Sequence, residues 1–138
     1  MVSSNKNSYK FNSLISGQLG IACHQEKVKV FIYLSTIHVY SNTLVGTINE
    51  NSKTQKTDFY TRSKILAENI FCDLSDLNNT KFIVLRLSNV FGNPLFKNGN
   101  CWKLFLNNIC KEAITDQTII INSNPLIIRN FISLEFFI

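Results

Sequence analysis

The chain has 138 residues, 45% hydrophobic and 17% charged, with a formal net charge of +5. That length suits one modest domain, which buries about two-thirds of its unfolded surface. No apolar run reaches the roughly 18 residues of a membrane span. The leading MVSSNKNSYK lacks the apolar core of a signal peptide, so a cytoplasmic location is expected.

The predicted elements alternate. Tyr9 to Cys23 reads as a helix, with Gly17 and Gly20 fraying its end. Residues 28–35 (VKVFIYL and Ser35) read as a buried strand, short and rich in β-branched and aromatic residues. Residues 41–58 are polar and without period. A helix over 59–77 follows, with Ile65, Leu66, Ile70 and Leu74 at helical spacing. Residues 81–88 form a second apolar strand, and 89–100 a turn-rich stretch with Gly92, Asn93 and Pro94. Trp102 to Ala113 is expected to be helical. Thr118–Asn122 and Leu126–Phe131 read as short strands around a Ser123-Asn124-Pro125 turn. This order predicts an α/β fold, part of a parallel sheet with flanking helices.

Charge and cysteine usage exclude two classes. Eleven Lys and three Arg are scattered rather than clustered with aromatics, so no nucleic-acid stripe is expected. A positive field does suit an anionic substrate. Cys23, Cys72, Cys101 and Cys110 show no metal-ligand spacing and read as free thiols; no metal is expected.

Tyr60-Thr61-Arg62-Ser63-Lys64 is the stretch that carries chemistry. Tyr and Lys four apart share a helix face. A phenol has an unperturbed pKa of about 10. A nearby ammonium favours the phenolate and brings it toward working range. A hydroxyl from another element, here Ser35-Thr36 at a strand end, can bond the reacting oxygen. Such a set suits proton transfer at a sugar or alcohol hydroxyl coupled to hydride transfer. An ordinary exposed Tyr and Lys on a helix would show the same spacing.

The ordered motifs resemble the NAD-dependent epimerase/dehydratase family, the extended short-chain dehydrogenases/reductases acting on nucleotide sugars. STIHVY at 35–40 resembles the family's strand-end segment, and YTRSK at 60–64 its Y-x-x-x-K. Ala67-Glu68 sits at the place of a frequent "AE" pair. RLSNVFG at 86–92 resembles R-x-x-N-x-[YF]-G, and Arg129-Asn130-Phe131-Ile132 a late "RDFI". The similarity covers most of Asn7 to Glu135.

The resemblance implies roles. Tyr60 would be the acid/base, Lys64 would lower its pKa and bond the nicotinamide ribose, and Thr36 would bond the substrate oxygen. Ser35, Leu87 and Ser88 would line the NAD site, the last two through their backbone. Asn89 and Arg129 would meet the substrate diphosphate, Arg129 through its planar fork. A turn-forming Asn and a surface Arg are the plainer readings of those two residues. Asn130 stands where the family usually has Asp, and Ser41 where it usually has Gly. His38 reads as an ordinary, partly buried histidine. Sugar 4,6-dehydratases usually carry an Asp-Glu pair directly after the Thr. Ile37-His38 fill those places, and Ile37 can neither donate nor accept a proton. An epimerase or reductase is therefore expected ahead of a 4,6-dehydratase.

The family's opening strand, glycine-rich turn and helix have no counterpart in these residues. Residues 1–138 read as a partial, Rossmann-like domain, lacking the first βαβ half and the C-terminal substrate lobe. Two classes of function follow. One is a nucleotide-sugar epimerase fragment using NAD. The other is a non-catalytic remnant, or the interaction half of a split enzyme that needs a separately encoded N-terminal half. An apolar strand edge without its neighbours also predicts self-association.

Overall fold

In the computed structural model, residues 6–40, 46–75, 80–93, 99–121 and 128–137 are described. The chain divides into two units, Met1–Leu87 and Ser88–Ile138. The four-residue helix assigned to 134–137 is short, and the main elements are those below.

The first unit holds helix α1 (Lys6–Gln25), strand β1 (Val30–Thr36), helix α2 (Phe59–Ser75) and strand β2 (Lys81–Leu87). β1 and β2 pair in parallel, from Val30 opposite Lys81 to Thr36 opposite Leu87. A parallel pair needs a long crossover, and α2 lies within it. Buried Thr61, Ile65, Glu68 and Phe71 recur at helical spacing along the inward face of α2. Phe71 is fully buried. Its ring centroid lies 5.1 Å from that of Phe31, 4.8 Å from Tyr33 and 5.4 Å from Phe82.

β1 is covered on one face only, which corrects the expected buried strand. Its exposure alternates: Phe31, Tyr33 and Ser35 turn inward, while Val30, Ile32 and Leu34 are 49%, 53% and 43% exposed. The period of a strand is two, and α1 and α2 supply a single helix layer. Parallel sheets ordinarily carry cover on both faces, which is why the sequence reads as apolar throughout.

Gly17 and Gly20 do not fray a helix end, as expected from sequence; both lie within α1. A Cβ on Gly20 would sit 2.7 Å from Leu74 Cδ1 and 3.0 Å from Phe71 Cε1, so glycine lets α1 approach α2 closely. At Gly17 the nearest contact is an ordinary 3.8 Å, to Ile70 Cδ1. Opposite outcomes are expected in urea unfolding. Gly20→Val should cost about 1–3 kcal/mol by overpacking against the buried Phe71 ring. Gly17→Ala should gain about 0.5–1 kcal/mol, because helix-interior glycine is entropically costly. Equal effects at the two sites would contradict the packing argument.

The second unit contains β3 (Asn89–Phe91), helix α3 (Phe105–Thr115) and β4 (Phe131–Ser133). β3 and β4 pair in parallel, Asn89 opposite Phe131. Three further corrections fall here. β3 lies in the stretch expected to hold only turns. The helix expected over 102–113 is split into a short 3-10 turn, Asn100–Lys103, and α3. Residues 118–121 and 128–130 carry no strand, so β4 begins where the expected strand ends. The Ser123-Asn124-Pro125 turn and Ser41 lie outside the described residues. Gly92 has a packing reason of its own: a Cβ there would meet Leu134 Cβ at 2.8 Å. Among the described residues no helix is long and apolar enough to cross a membrane.

Candidate active site

The first turn of α2 is fixed by a reciprocal cap. Asp58 Oδ1 accepts from the Thr61 N–H at 2.7 Å, and the Asp58 N–H donates to Thr61 Oγ1 at 3.1 Å. This is the logic of a capping box, with Thr in the place of Glu or Gln. Ser63 Oγ also donates to the Tyr60 carbonyl at 2.7 Å. Tyr60 is thereby held in the first helical turn, and Lys64 follows one turn later.

β1 delivers the hydroxyl. Thr36 is buried at the strand's carboxyl end, where α/β folds place their ligands. Its Oγ1 accepts from the His38 N–H at 3.2 Å, capping the 3-10 turn Ile37–Val39. The Thr36 side chain is close enough to the Tyr60 phenol to favour its ionised form. Lys64 Nζ donates to the Leu34 carbonyl at 2.8 Å. It lies 4.7 Å from the Tyr33 ring centroid and 5.9 Å from that of Tyr60. The structure thus brings Thr36, Tyr60 and Lys64 together within the first unit.

The electrostatics differ from the expectation. Burial pushes the Tyr60 phenol above its usual value; the Thr36 contact opposes this and Asp58 adds to it. The Lys64 ammonium donates to the Leu34 carbonyl and lies over the Tyr60 ring. Lys64 is itself pushed down by burial, against the pull of Glu68. At neutral pH Tyr60 is therefore a protonated phenol.

Ser35 is 5% exposed, and its hydroxyl donates to Glu68 Oε1. Any cofactor contact from Ser35 would have to come from its backbone. His38 is exposed rather than partly buried. Leu87 ends β2, opposite Thr36.

In the second unit, the Asn89 N–H and Nδ2 both donate to the Asn130 carbonyl, at 3.3 and 3.0 Å. Arg129 is exposed and its guanidinium lies 5.8 Å from the Phe105 ring centroid. Ser88 is half-buried at the start of this unit. An apolar cleft of about 510 Å³ lies between Phe91, Trp102, Leu106 and Ile114; it offers no acid–base set.

Sequence reasoning passed over one cluster. Glu68 receives Ser35 and also the Arg86 guanidinium, whose Nη2 lies 2.7 Å from Oε2. Arg86 Nη1 reaches the Tyr40 hydroxyl at 2.9 Å and the Glu50 carbonyl at 3.1 Å. The signal was legible: an Arg inside the apolar strand FIVLRL needs a partner.

Known proteins resemble this chain. Human dTDP-D-glucose 4,6-dehydratase is 35% identical over 71 residues, 51% of this chain, and its Bos taurus counterpart matches equally. The chain spans 20% of the length of those relatives. Among solved structures, an NAD-dependent NDP-hexosamine 5,6-dehydratase of tunicamycin biosynthesis superposes with a TM-score of 0.76 at 17% identity. That match covers 91% of this chain and 40% of the other. UDP-N-acetylglucosamine 4-epimerase from Bacillus cereus superposes with a TM-score of 0.74 at 20% identity, over 96% and 45%. These likenesses show the fold, a Rossmann-like parallel sheet with flanking helices. The model of the NAD dependent epimerase/dehydratase family matches residues 2–133, and the chain belongs to that family.

Proposed function

We propose that this chain supplies the acid–base centre of a nucleotide-sugar epimerase that uses NAD. The observation that carries the reading is the convergence of Tyr60, Thr36 and Lys64 at the carboxyl end of β1. Thr36 bonds and orients the reacting sugar hydroxyl. Tyr60 takes the proton as that hydroxyl becomes a carbonyl and returns it afterwards. Its raised pKa suits the return step. For the first step the phenol must ionise, and Lys64, one turn along α2, is the cation in reach. Bound NAD would supply the hydride acceptor and donor. Leu87, Ser88, Asn89 and Arg129 keep the cofactor and diphosphate roles that the family resemblance implies.

The residues present fit only the nicotinamide end of NAD. A pyrophosphate is bound by backbone N–H groups of a glycine-rich turn at a helix N-terminus. Gly17-Gln18-Leu19-Gly20 is no such turn, because it lies inside α1 with Gly20 against α2. The 138-residue chain should therefore bind NAD weakly or not at all in calorimetric titration. Micromolar affinity would overturn this.

A dehydratase is the second reading, favoured by the 35% identity to 4,6-dehydratases. Ile37-His38 argue against it, since Ile37 carries no proton. A protein completed with the N-terminal half and C-terminal lobe of a relative separates the readings. NMR of a nucleotide sugar incubated with it should show the epimer. A 4-keto-6-deoxy product favours the dehydratase, and a reduced sugar with consumed NADH the reductase. No turnover by a folded, NAD-loaded protein favours a non-catalytic remnant, or a half that works only with a separate partner chain. We also read the exposed Val30, Ile32 and Leu34 face as a source of self-association. A concentration-independent monomer in sedimentation counts against that.

A further inference from the structure

Three elements must hold a fixed spacing for Thr36 to meet Tyr60: the ends of β1 and β2 and the middle of α2. One side chain from each strand converges on a single carboxylate of α2. Glu68 of α2 is 4% exposed. It accepts from Ser35 Oγ of β1, next to Thr36. From Arg86 of β2 it accepts at Oε1 (3.2 Å, Nε) and at Oε2 (3.1 Å, Nε; 2.7 Å, Nη2). The remaining arm of Arg86 reaches past β1 to Tyr40 and Glu50, on the segment beyond Thr36. The Arg86 guanidinium also lies 4.9 Å from the Tyr40 ring centroid.

We propose that Glu68 and Arg86, with Ser35 and Tyr40, are positioning residues that set the spacing between the Thr36 hydroxyl and the Tyr60 phenol. Stability alone is a poor reason for such a cluster, because a buried ion pair roughly breaks even against an apolar replacement. What a planar, forked guanidinium adds is geometry, since it fixes several acceptors at once. Glu68 also lies one turn beyond Lys64 on the same helix, so the carboxylate and the acid–base pair move together. The catalytic meaning of this spacing rests on the function proposed above; the spacing itself does not.

The test reads Tyr60 without turnover. Tyr60 is replaced by difluorotyrosine in the 138-residue chain, and its titration is followed by fluorine NMR. The charged and titratable groups around this phenol are Asp58, Lys64 and Tyr33. Thr36→Val removes a contact that favours the phenolate, so the titration should move up. Glu68→Gln and Arg86→Lys should also move it up, because both release the strand end. The double variant Glu68→Gln/Thr36→Val should move it no further than Thr36→Val alone. Loss of the Glu68 charge acting directly would move it down, and Arg86→Lys keeps the charge while losing the fork. Tyr40→Phe deletes one hydrogen bond and no charge, and a smaller upward shift is expected. Unchanged or downward titration in Arg86→Lys and Tyr40→Phe, or additive shifts in the double variant, would overturn the proposal. An inactive completed enzyme would instead count against the proposed function and leave the titration result standing.

Discussion

Tyr60→Phe should lower turnover of the completed enzyme by about 10²–10⁴-fold, the usual contribution of a general acid–base group. The substitution removes the hydroxyl and keeps the ring, so the packing at the start of α2 is preserved. Lys64→Ala should lower turnover and weaken cofactor binding as well, because the ammonium would serve both. Thr36→Val should cost less, since it deletes one hydrogen bond to substrate and no transferred proton. Burial raises the Tyr60 phenol above its usual value. The acidic limb of the pH profile of the Tyr-bearing enzyme, which reports the phenolate that takes the first proton, should therefore lie at higher pH than a free tyrosine would give, unless Lys64 turns toward the phenol when substrate is bound. A comparison of free-enzyme and complex profiles reads that difference. Near wild-type turnover in Tyr60→Phe would remove the acid–base role from this residue.

The parts legible in the sequence were those set by local pattern. The α2 helix, both strands of the first unit and the Tyr60–Lys64 spacing follow from short-range periodicity. What the pattern missed depended on tertiary contact. VKVFIYL gives no sign of which face is covered, because every position from Val30 to Leu34 is apolar or aromatic. Gly20 looks like a helix end, yet Phe71 and Leu74, some fifty residues later, make glycine necessary inside α1. Lys64 and Arg86 show the same dependence on tertiary contact. Lys64 shares a helix face with Tyr60 by spacing alone, whereas the donation of its ammonium to the Leu34 carbonyl depends on how α2 packs against β1. Arg86 was read only as a motif letter, although a guanidinium in an apolar strand implies a buried partner. Short strands in the second unit were misplaced because β3 and β4 are three residues each, too short for any period to show.

Phe71→Ala should destabilise the chain by about 3–5 kcal/mol, the range for deleting a buried aromatic ring. Phe71 is 0% exposed, and it ties three elements together. Its ring stacks on Phe82 of β2 at an interplanar angle of 15°, and it meets Phe31 and Tyr33 of β1 at tilted angles. Its edge also faces Gly20 of α1. No smaller neighbour can fill the space, because the surrounding groups belong to paired strands and a packed helix. Domains of this size are stable by only about 5–15 kcal/mol, so the loss takes most of the margin of a domain at the lower end of that range. Phe11→Ala is the matched control, since Phe11 is 63% exposed on α1. A surface change of that kind should stay within about 0.5 kcal/mol. Denaturant midpoints for the two variants make the comparison, and equal losses would refute the assignment of Phe71 as the keystone of the first unit. The damage should also reach the chemistry. Phe71 supports Tyr33, whose ring lies 4.7 Å beneath the Lys64 ammonium. In a completed enzyme, the residual folded fraction of Phe71→Ala should therefore turn over more slowly than the same amount of Phe11→Ala.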